Sequence, residues 1–346
     1  MQPFAYVRAD DVATAVRAAA PQAQRPGPSP AGTLATGNET EFLAGGTNLV
    51  DYLKLDAMRT GRVVDINGLA ATHGRIEPLA DGLRLGALAR MAAVADDPAV
   101  NRDYPVIAQT MRLAASAQLR NMASLGGNVL QRTRCHYFRD TSWRACNKRL
   151  PGSGCAALDG ENRKHAVLGT SERCISNYPG DFAQALVALD ASVETVGLGG
   201  PRTLRFEDLH RGSDTPHVET VLQPGELVTG FVVPAGPWTR RSAYVKVRDR
   251  ESYEYAITSA AVALDVAPDG TVREARVAVG GVAYKPWRAR EAEAALRGRR
   301  LDGAGALAAG RAAFADARPR RGNAFKTELG PRTVARALLQ AAALQA

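Results

Sequence analysis

Cysteine is missing from the first 134 residues and from everything after residue 174. The four thiols, Cys135, Cys146, Cys155 and Cys174, share one window of a 346-residue chain. Long apolar runs are missing too: none approaches the roughly 18–20 residues of a membrane-spanning helix, so no membrane span is expected. The opening MQPFAYVRADD has acids at Asp10 and Asp11 and no apolar h-region, which reads against a signal peptide. The net charge is +9, yet no lysine-rich arm and no alternation of aromatic with basic residues accompanies it. That surplus reads as scattered arginine facing an acidic partner subunit, with no nucleic acid expected. No G-x-G-x-x-G is present, which weighs against a Rossmann dinucleotide fold, and no fixed-period repeat is visible.

What the chain does contain is enough apolar residue, 45%, for real cores in two or three modest domains. DVATAVRAAA reads as a short helix, and residues 21–40 as a Pro/Gly/Thr-rich loop. EFLAGG is a strand running into a diglycine, and TNLVDYLKL a helix start. RVVDING (62–68) and GLRLGALAR (82–90) read as further strands, MAAVADDPAV and YPVIAQTMRLAAS as helical. Such alternation suggests an α/β layer. After the cysteines, DFAQALVALDASVETVG predicts a helix and a strand, and GELVTGFVVP (225–234) another strand. AGPWTRR is the best domain boundary; SAYVKVRDR and REARVAVGGVAY beyond it read as strands of a separate α+β unit. RTVARALLQAAALQ closes the chain as an amphipathic helix.

Two glycine-rich segments share one logic. FLAGGTNL delivers Gly45 and Gly46 to a helix start near Thr47 and Asn48; NMASLGGNVL places Gly126 and Gly127 before Asn128. Glycine lets backbone approach a ligand closely, and exposed N–H groups with a helix dipole suit a pyrophosphate. Thr47, Asn48, Ser124 and Asn128 add side-chain donors. Two ordinary tight turns would read the same way.

With FLAGGTNLVDYLKL, VVDINGL, QLRNMASLGGNVLQ, GELVTGFVVP, AYVKVRDRESYEYAITSAAVAL and RVAVGGVAYKPWRAREAEAAL in this order, the chain resembles the FAD-binding subunits of molybdenum hydroxylases, the xanthine dehydrogenase and CO dehydrogenase medium-subunit family. GGNVLQRTRC joined to CNKRLPGSGCAALDG is similar to the aldehyde oxidoreductase branch. The resemblance covers nearly the whole chain, with loop 21–40 as an extra insertion. It implies an α+β fold: a two-subdomain FAD-binding domain of the PCMH type over 1–236 (about 1–67 and 68–236) and a smaller CO dehydrogenase flavoprotein C-terminal domain over 237–346. It implies flavin contacts at Glu41, Phe42, Leu43, Ala44, Gly45, Gly46, Thr47, Asn48 and Leu49, then at Asn121, Ser124, Gly127 and Asn128. Asp181, Val228, Lys246 and Tyr253 complete the set. Plainer readings stand beside these: Asp181 as the N-cap of FAQALVAL, Lys246 as an exposed strand charge, and Tyr253 as a core aromatic.

The cysteine spacing, C-x10-C-x8-C-x18-C, lacks the close pair usual in a structural zinc site. Two disulfides are possible by count, although a chain of this size does not need staples. Bystander thiols would sit on strands or helices, whereas these lie among Pro151, Gly152, Gly154 and Gly160. A 4Fe–4S cluster can take thiolates from irregular loops. The basic flank of Arg132, Arg134, Arg139, Arg144, Lys148 and Arg149 suits an anionic cluster and lowered thiol pKa values. Zinc, disulfide and cluster readings stay open on the residues alone. The resemblance implies the cluster, carried by an insertion over about 132–176. His136 and His165 read as solvated loop residues.

The function so implied is an FAD- and 4Fe–4S-containing electron-transfer subunit of a heterotrimeric aldehyde oxidoreductase. The molybdenum cofactor would lie on a large partner subunit and a 2Fe–2S centre on a small one, with an external electron acceptor. No catalytic residue for substrate is expected on this chain. The resemblance also implies periplasmic location by export with a partner, cytoplasmic location being the alternative. An autonomous flavin oxidoreductase and a zinc- or disulfide-stapled binding module are the rival readings. Bound chromophores separate all three.

Overall fold

A computed structural model describes residues 1–20 and 39–344. The loop read at 21–40 therefore lies, except for its last two residues, outside the described residues. Three sheets organise the described residues. The first pairs β1 (Ala5–Arg8), β3 (Arg62–Asp65) and β2 (Thr40–Leu43) in parallel, with β3 in the middle. The second has five strands in the order β4 (Ile76–Leu79), β5 (Gly82–Gly86), β8 (Leu227–Pro234), β6 (Ser192–Gly197), β7 (Gly200–Arg205). The third runs β12 (Trp287–Arg288), β11 (Val272–Gly280), β10 (Thr258–Val266), β9 (Ser242–Val247).

The parallel α/β layer expected from strand–helix alternation exists only in the first sheet. The other two are antiparallel throughout, which makes the whole an α+β fold. A short connection accounts for one such pair: β4 and β5 join through a tight hairpin, whereas parallel neighbours need a long crossover. β10 shows near-continuous burial along TSAAVALDV, the pattern of a strand covered on both faces.

The helical stretch at MAAVADDPAV breaks in two, Met91–Asp96 and Pro98–Asp103. Asp97 precedes proline, which disfavours the α region there. Its carboxylate accepts from the Val100 amide at 2.9 Å and caps the second helix.

The central core gathers Leu85, Ile107, Phe182 and Phe231 of the five-stranded unit with Tyr244, Ala261 and Ala278 of the third sheet. The C-terminal unit also keeps its own core, in which Leu338 of the helix Lys326–Ala342 meets Val262 and Val277. Between the helices Leu125–Val129 and Phe182–Ala188 lies the cysteine segment, whose only helix among the described residues is His136–Arg139. Its far edge docks on the C-terminal unit, where the Val167 amide donates to the Val282 carbonyl at 2.8 Å. No helix among the described residues is long and apolar enough to cross a membrane.

Candidate functional site

β2 ends at Leu43, and the next helix begins at Leu49. Between them Gly46 adopts φ +73°, a left-handed turn natural to glycine. The amides of Gly45, Gly46, Thr47 and Asn48 donate to no carbonyl or side chain among the described residues. Backbone N–H groups left without partners demand one from water or ligand, and a run of them suits phosphate oxygens. The helix that follows, Leu49–Lys54, has six residues, so the amides themselves, more than a macrodipole, make the cradle.

The second glycine pair does something different. The Gly126 amide donates to the Ala87 carbonyl at 2.8 Å and the Gly127 amide to Ser124 Oγ at 3.2 Å. Ser124 thereby caps the helix Leu125–Val129. Its amides are thus already occupied, and it buttresses the first pair instead. A Cβ on Gly45 would sit 1.9 Å from the Met122 carbonyl oxygen, so the two segments touch backbone to backbone. Asn48 Nδ2 adds a 3.3 Å bond to the Gly127 carbonyl. Arg90, unforeseen from sequence, donates to both the Met122 carbonyl and Asn67 Oδ1, and Asn67 reaches the Ala44 carbonyl at 2.9 Å. Asn121 lies exposed on the helix Ala117–Met122, while Asn128 is buried with its Oδ1 unpartnered. Glu41, Phe42, Leu43, Ala44, Thr47 and Leu49 are half-buried along the strand and its turn.

Asp181 is buried at the start of the helix Phe182–Ala188, but its side chain makes no capping bond. Its carboxylate accepts instead from Tyr244 OH at 2.5 Å and Lys246 Nζ at 2.8 Å, both on β9. The helix-cap reading of Asp181 and the exposed-charge reading of Lys246 are both set aside, since the Lys246 side chain is 1% exposed. Burial, and then the adjacent Asp181, hold the Tyr244 phenol well above its usual pKa, so it stays a donor. Val228 is buried on β8 opposite Thr195. Tyr253 is no core aromatic: it is 57% exposed at φ +53°, its ring beside Arg250. A left-handed tyrosine is an uncommon, strained conformation.

In the cysteine segment all four thiols are free, with Cys146 and Cys174 buried. Cys146 and Cys155 face each other across an antiparallel bridge. The Cys155 and Cys174 thiols lie side by side without a disulfide, Cys174 Sγ meets Ser176 Oγ at 3.4 Å, and Cys135 lies within reach of the charges of Cys174 and Cys146. One shared interior therefore receives all four. The neighbouring Cys155 thiol, with the Lys148 charge, draws Cys174 below the ordinary thiol value against the opposing effect of burial, while burial pushes Cys135 up to about 12. Among the described residues no three His, Cys, Asp or Glu side chains close on one point as ligands of a single ion would. Four cysteine thiols are, by donor type and number, the set that a cubane iron–sulfur cluster takes.

Two expectations for this segment change. His165 is not solvated: it is buried, with Nε2 3.2 Å from Cys135 Sγ, while His136 is exposed. The basic flank is mostly scaffold. Arg132 and Lys148 pair with Glu219, Arg134 and Arg139 with Asp51, and Arg149 donates to the carbonyls of Tyr137 and Phe138. Spacing could not show this, because Glu219 and Asp51 lie far away in sequence.

Residues 2–236 match the FAD binding domain in molybdopterin dehydrogenase. The chain belongs to the FAD-binding subunits of the molybdenum hydroxylases. Residues 242–341 match the CO dehydrogenase flavoprotein C-terminal domain. The aldehyde oxidoreductase FAD-binding subunit PaoB of Escherichia coli is 47% identical over 305 residues, 88% of this chain and 92% of that subunit. The carbon monoxide dehydrogenase medium chain of Afipia carboxidovorans is 27% identical over 77% of this chain and 75% of its own length. Among solved structures, a carbon monoxide dehydrogenase from Hydrogenophaga pseudoflava superposes with a TM-score of 0.73 at 25% identity, covering 99% of this chain and 98% of that one. Like these relatives, the chain is an FAD-binding oxidoreductase subunit.

Proposed function

We propose that this chain is the flavin and iron–sulfur subunit of a three-chain molybdenum aldehyde oxidoreductase. FAD, when bound, supplies the ability to take up two electrons and release them singly; position and electrostatics come from the protein. The observation that carries the flavin assignment is the run of unpartnered amides from Gly45 to Asn48, pressed against the second glycine segment. Thr47 and Asn48 close that run, Asn48 bonding to the segment that holds Ser124 and Asn128, and the buried Asp181–Lys246 pair gives a fixed, dry polar pair between the FAD-binding and C-terminal units. The thiols of Cys135, Cys146, Cys155 and Cys174 would hold a 4Fe–4S cluster; their common interior and irregular loops support it. Likeness to the PaoB subunit supports aldehyde as the substrate class, oxidised on a molybdenum partner chain, with a 2Fe–2S chain between. Location in the periplasm by export with such a partner belongs to the same reading; cell fractionation with the partner deleted checks it.

The test uses the purified chain with and without its partner chains, kept anaerobic. Dithionite should bleach the flavin of the chain alone, and aldehyde should not; adding the partners should bring aldehyde-driven bleaching. Released flavin should be FAD, and iron should approach about four per chain on the cubane assignment. Bleaching of the isolated chain by aldehyde would promote an autonomous flavoenzyme. Zinc in place of iron would remove the cluster from the assignment.

A further inference from the structure

The helix Leu49–Lys54 has two neighbours. Its leading end is the amide cradle, and its flank is packed by the cysteine segment: Leu49, Tyr52, Leu53, Ala57 and Met58 meet Phe138, Cys135 and Cys146 in one apolar cluster. Tyr52 OH donates to the carbonyls of Arg132 and Thr133 at 2.9 and 3.0 Å, closing this seam just ahead of Cys135.

Arg134 sits in that seam, one residue before Cys135. Its Nη1 meets Asp51 Oδ2 at 2.9 Å, its Nη2 donates to Asn48 Oδ1, and its guanidinium lies between the rings of Tyr52 and Tyr255, 5.3 Å from each centroid. Asn48 uses its other side-chain atom, Nδ2, on the Gly127 carbonyl. A continuous chain of contacts thus runs from a cysteine to Arg134, to Asn48, and to both glycine segments. The planar fork of arginine suits such two-sided bonding, which a lysine would not reproduce. Arg139 braces the same Asp51 at 2.7 Å, so the carboxylate stays where Arg134 needs it.

We propose that Arg134 is the positioning residue through which an assembled cysteine site holds the FAD cradle in its binding geometry, so that emptying the cysteines loosens FAD. This rests on reading the four cysteines as cluster ligands. Tyr52 and Asp51 already seat the stretch that carries Arg134, and ligation of Cys135, the next residue, would fix that backbone further. Linkage then makes the effect mutual: FAD stabilises the assembled cysteine site by the same factor.

The experiment is a double-mutant cycle in the full chain, reading FAD affinity by flavin fluorescence titration and iron by metal analysis. Cys174→Ser empties the site from the side away from the helix, since Cys174 is outside the apolar cluster that packs on it. Arg134→Gln should weaken FAD about tenfold, within the usual range of coupling, and leave iron unchanged. Cys174→Ser should lose iron and weaken FAD by a similar factor. The double variant should be no weaker for FAD than Cys174→Ser alone, because the link is already broken; a merely structural arginine would add its own loss. Full FAD affinity in iron-depleted Cys174→Ser, unchanged affinity in Arg134→Gln, or multiplied losses in the double variant overturns the proposal. Should Arg134→Gln not fold, Asp51→Asn attacks the same link from the helix and must show the same non-additivity. Wild-type chain without iron sinks the cluster reading and the coupling together, and the iron count tells that failure from the others.

Discussion

Gly45-Gly46 and Gly126-Gly127 are the same dipeptide with opposite uses. The first pair turns with its amides unpartnered; the second sits in a capped helical turn with its amides bonded to Ala87 and Ser124. Only the first can offer donors to an anion, and only the second can act as a rigid floor. What differs is the surroundings: a parallel strand ends before one, and the Ser124 side chain precedes the other. A diglycine is therefore a statement about backbone space, not about ligand contact.

The largest effect that tests this contrast is Gly45→Ala. Its methyl would meet backbone at Met122, 1.9 Å away, and a carbonyl cannot swing aside like a side-chain tip. FAD retention should be lost, as read by the flavin spectrum of purified chain; normal flavin content would break the contrast at its first member. The obstruction is thus the second segment itself rather than a phosphate path.

Next in size is Glu219→Gln, which loosens the stretch following the second pair by taking the shared carboxylate from half-buried Arg132 and buried Lys148. Breaking a fully buried pair costs about 3–5 kcal/mol; with Glu219 23% exposed the loss should fall below that range, seen as a lower unfolding midpoint in urea. The pH dependence has a definite sign. Burial alone would raise the Glu219 carboxyl, but Arg132 and Lys148 overrule it and hold it down to about 2, from an ordinary 4.5. A depressed carboxyl contributes fully above its unfolded value and loses that contribution as pH falls toward the folded one. The wild-type melting temperature should fall across that window, and the Glu219→Gln chain should lack this part of the fall.

Gly46→Ala comes third. Its methyl would press on the flexible end of Leu43 at 3.3 Å, which can give by a few tenths of an ångström, but φ is +73°, and a left-handed residue other than glycine costs roughly 1–2 kcal/mol. FAD affinity should drop about tenfold, an equilibrium change of about 1.4 kcal/mol. Gly126→Ala is the smallest. Its helical backbone accepts a side chain, and the methyl needs only a few tenths of an ångström from Ala87, whose Cβ and carbonyl oxygen lie at 3.2 and 3.3 Å. FAD affinity should stay within about twofold, since small repacking is usually tolerated at under 1.5 kcal/mol. A loss as large as that of Gly46→Ala would mean that the second pair also faces the cofactor.

Local pattern made much of the fold readable. EFL followed by a diglycine, the helix after Asp181 and the long C-terminal helix are periodicities within a dozen residues, and they fold as their spacing predicts. Sheet direction was less readable, because alternating strands and helices do not reveal which strands pair. β8 inserts between β5 and β6, more than 100 residues from the first of these.

By itself the sequence determined which backbone could turn sharply, at Gly45 and Gly46, and that four thiols would share one region, because chain connectivity confines them. Tertiary structure alone decided what each group would meet. Asp181 and Lys246 are 65 residues apart, Arg134 and Asn48 are 86, and His165 reaches Cys135 across 30. Charges and hydrogen-bond donors carry no periodicity that names a distant partner. Their pairing is settled when burial removes water and leaves a buried charge the choice of finding its opposite or destabilising the fold.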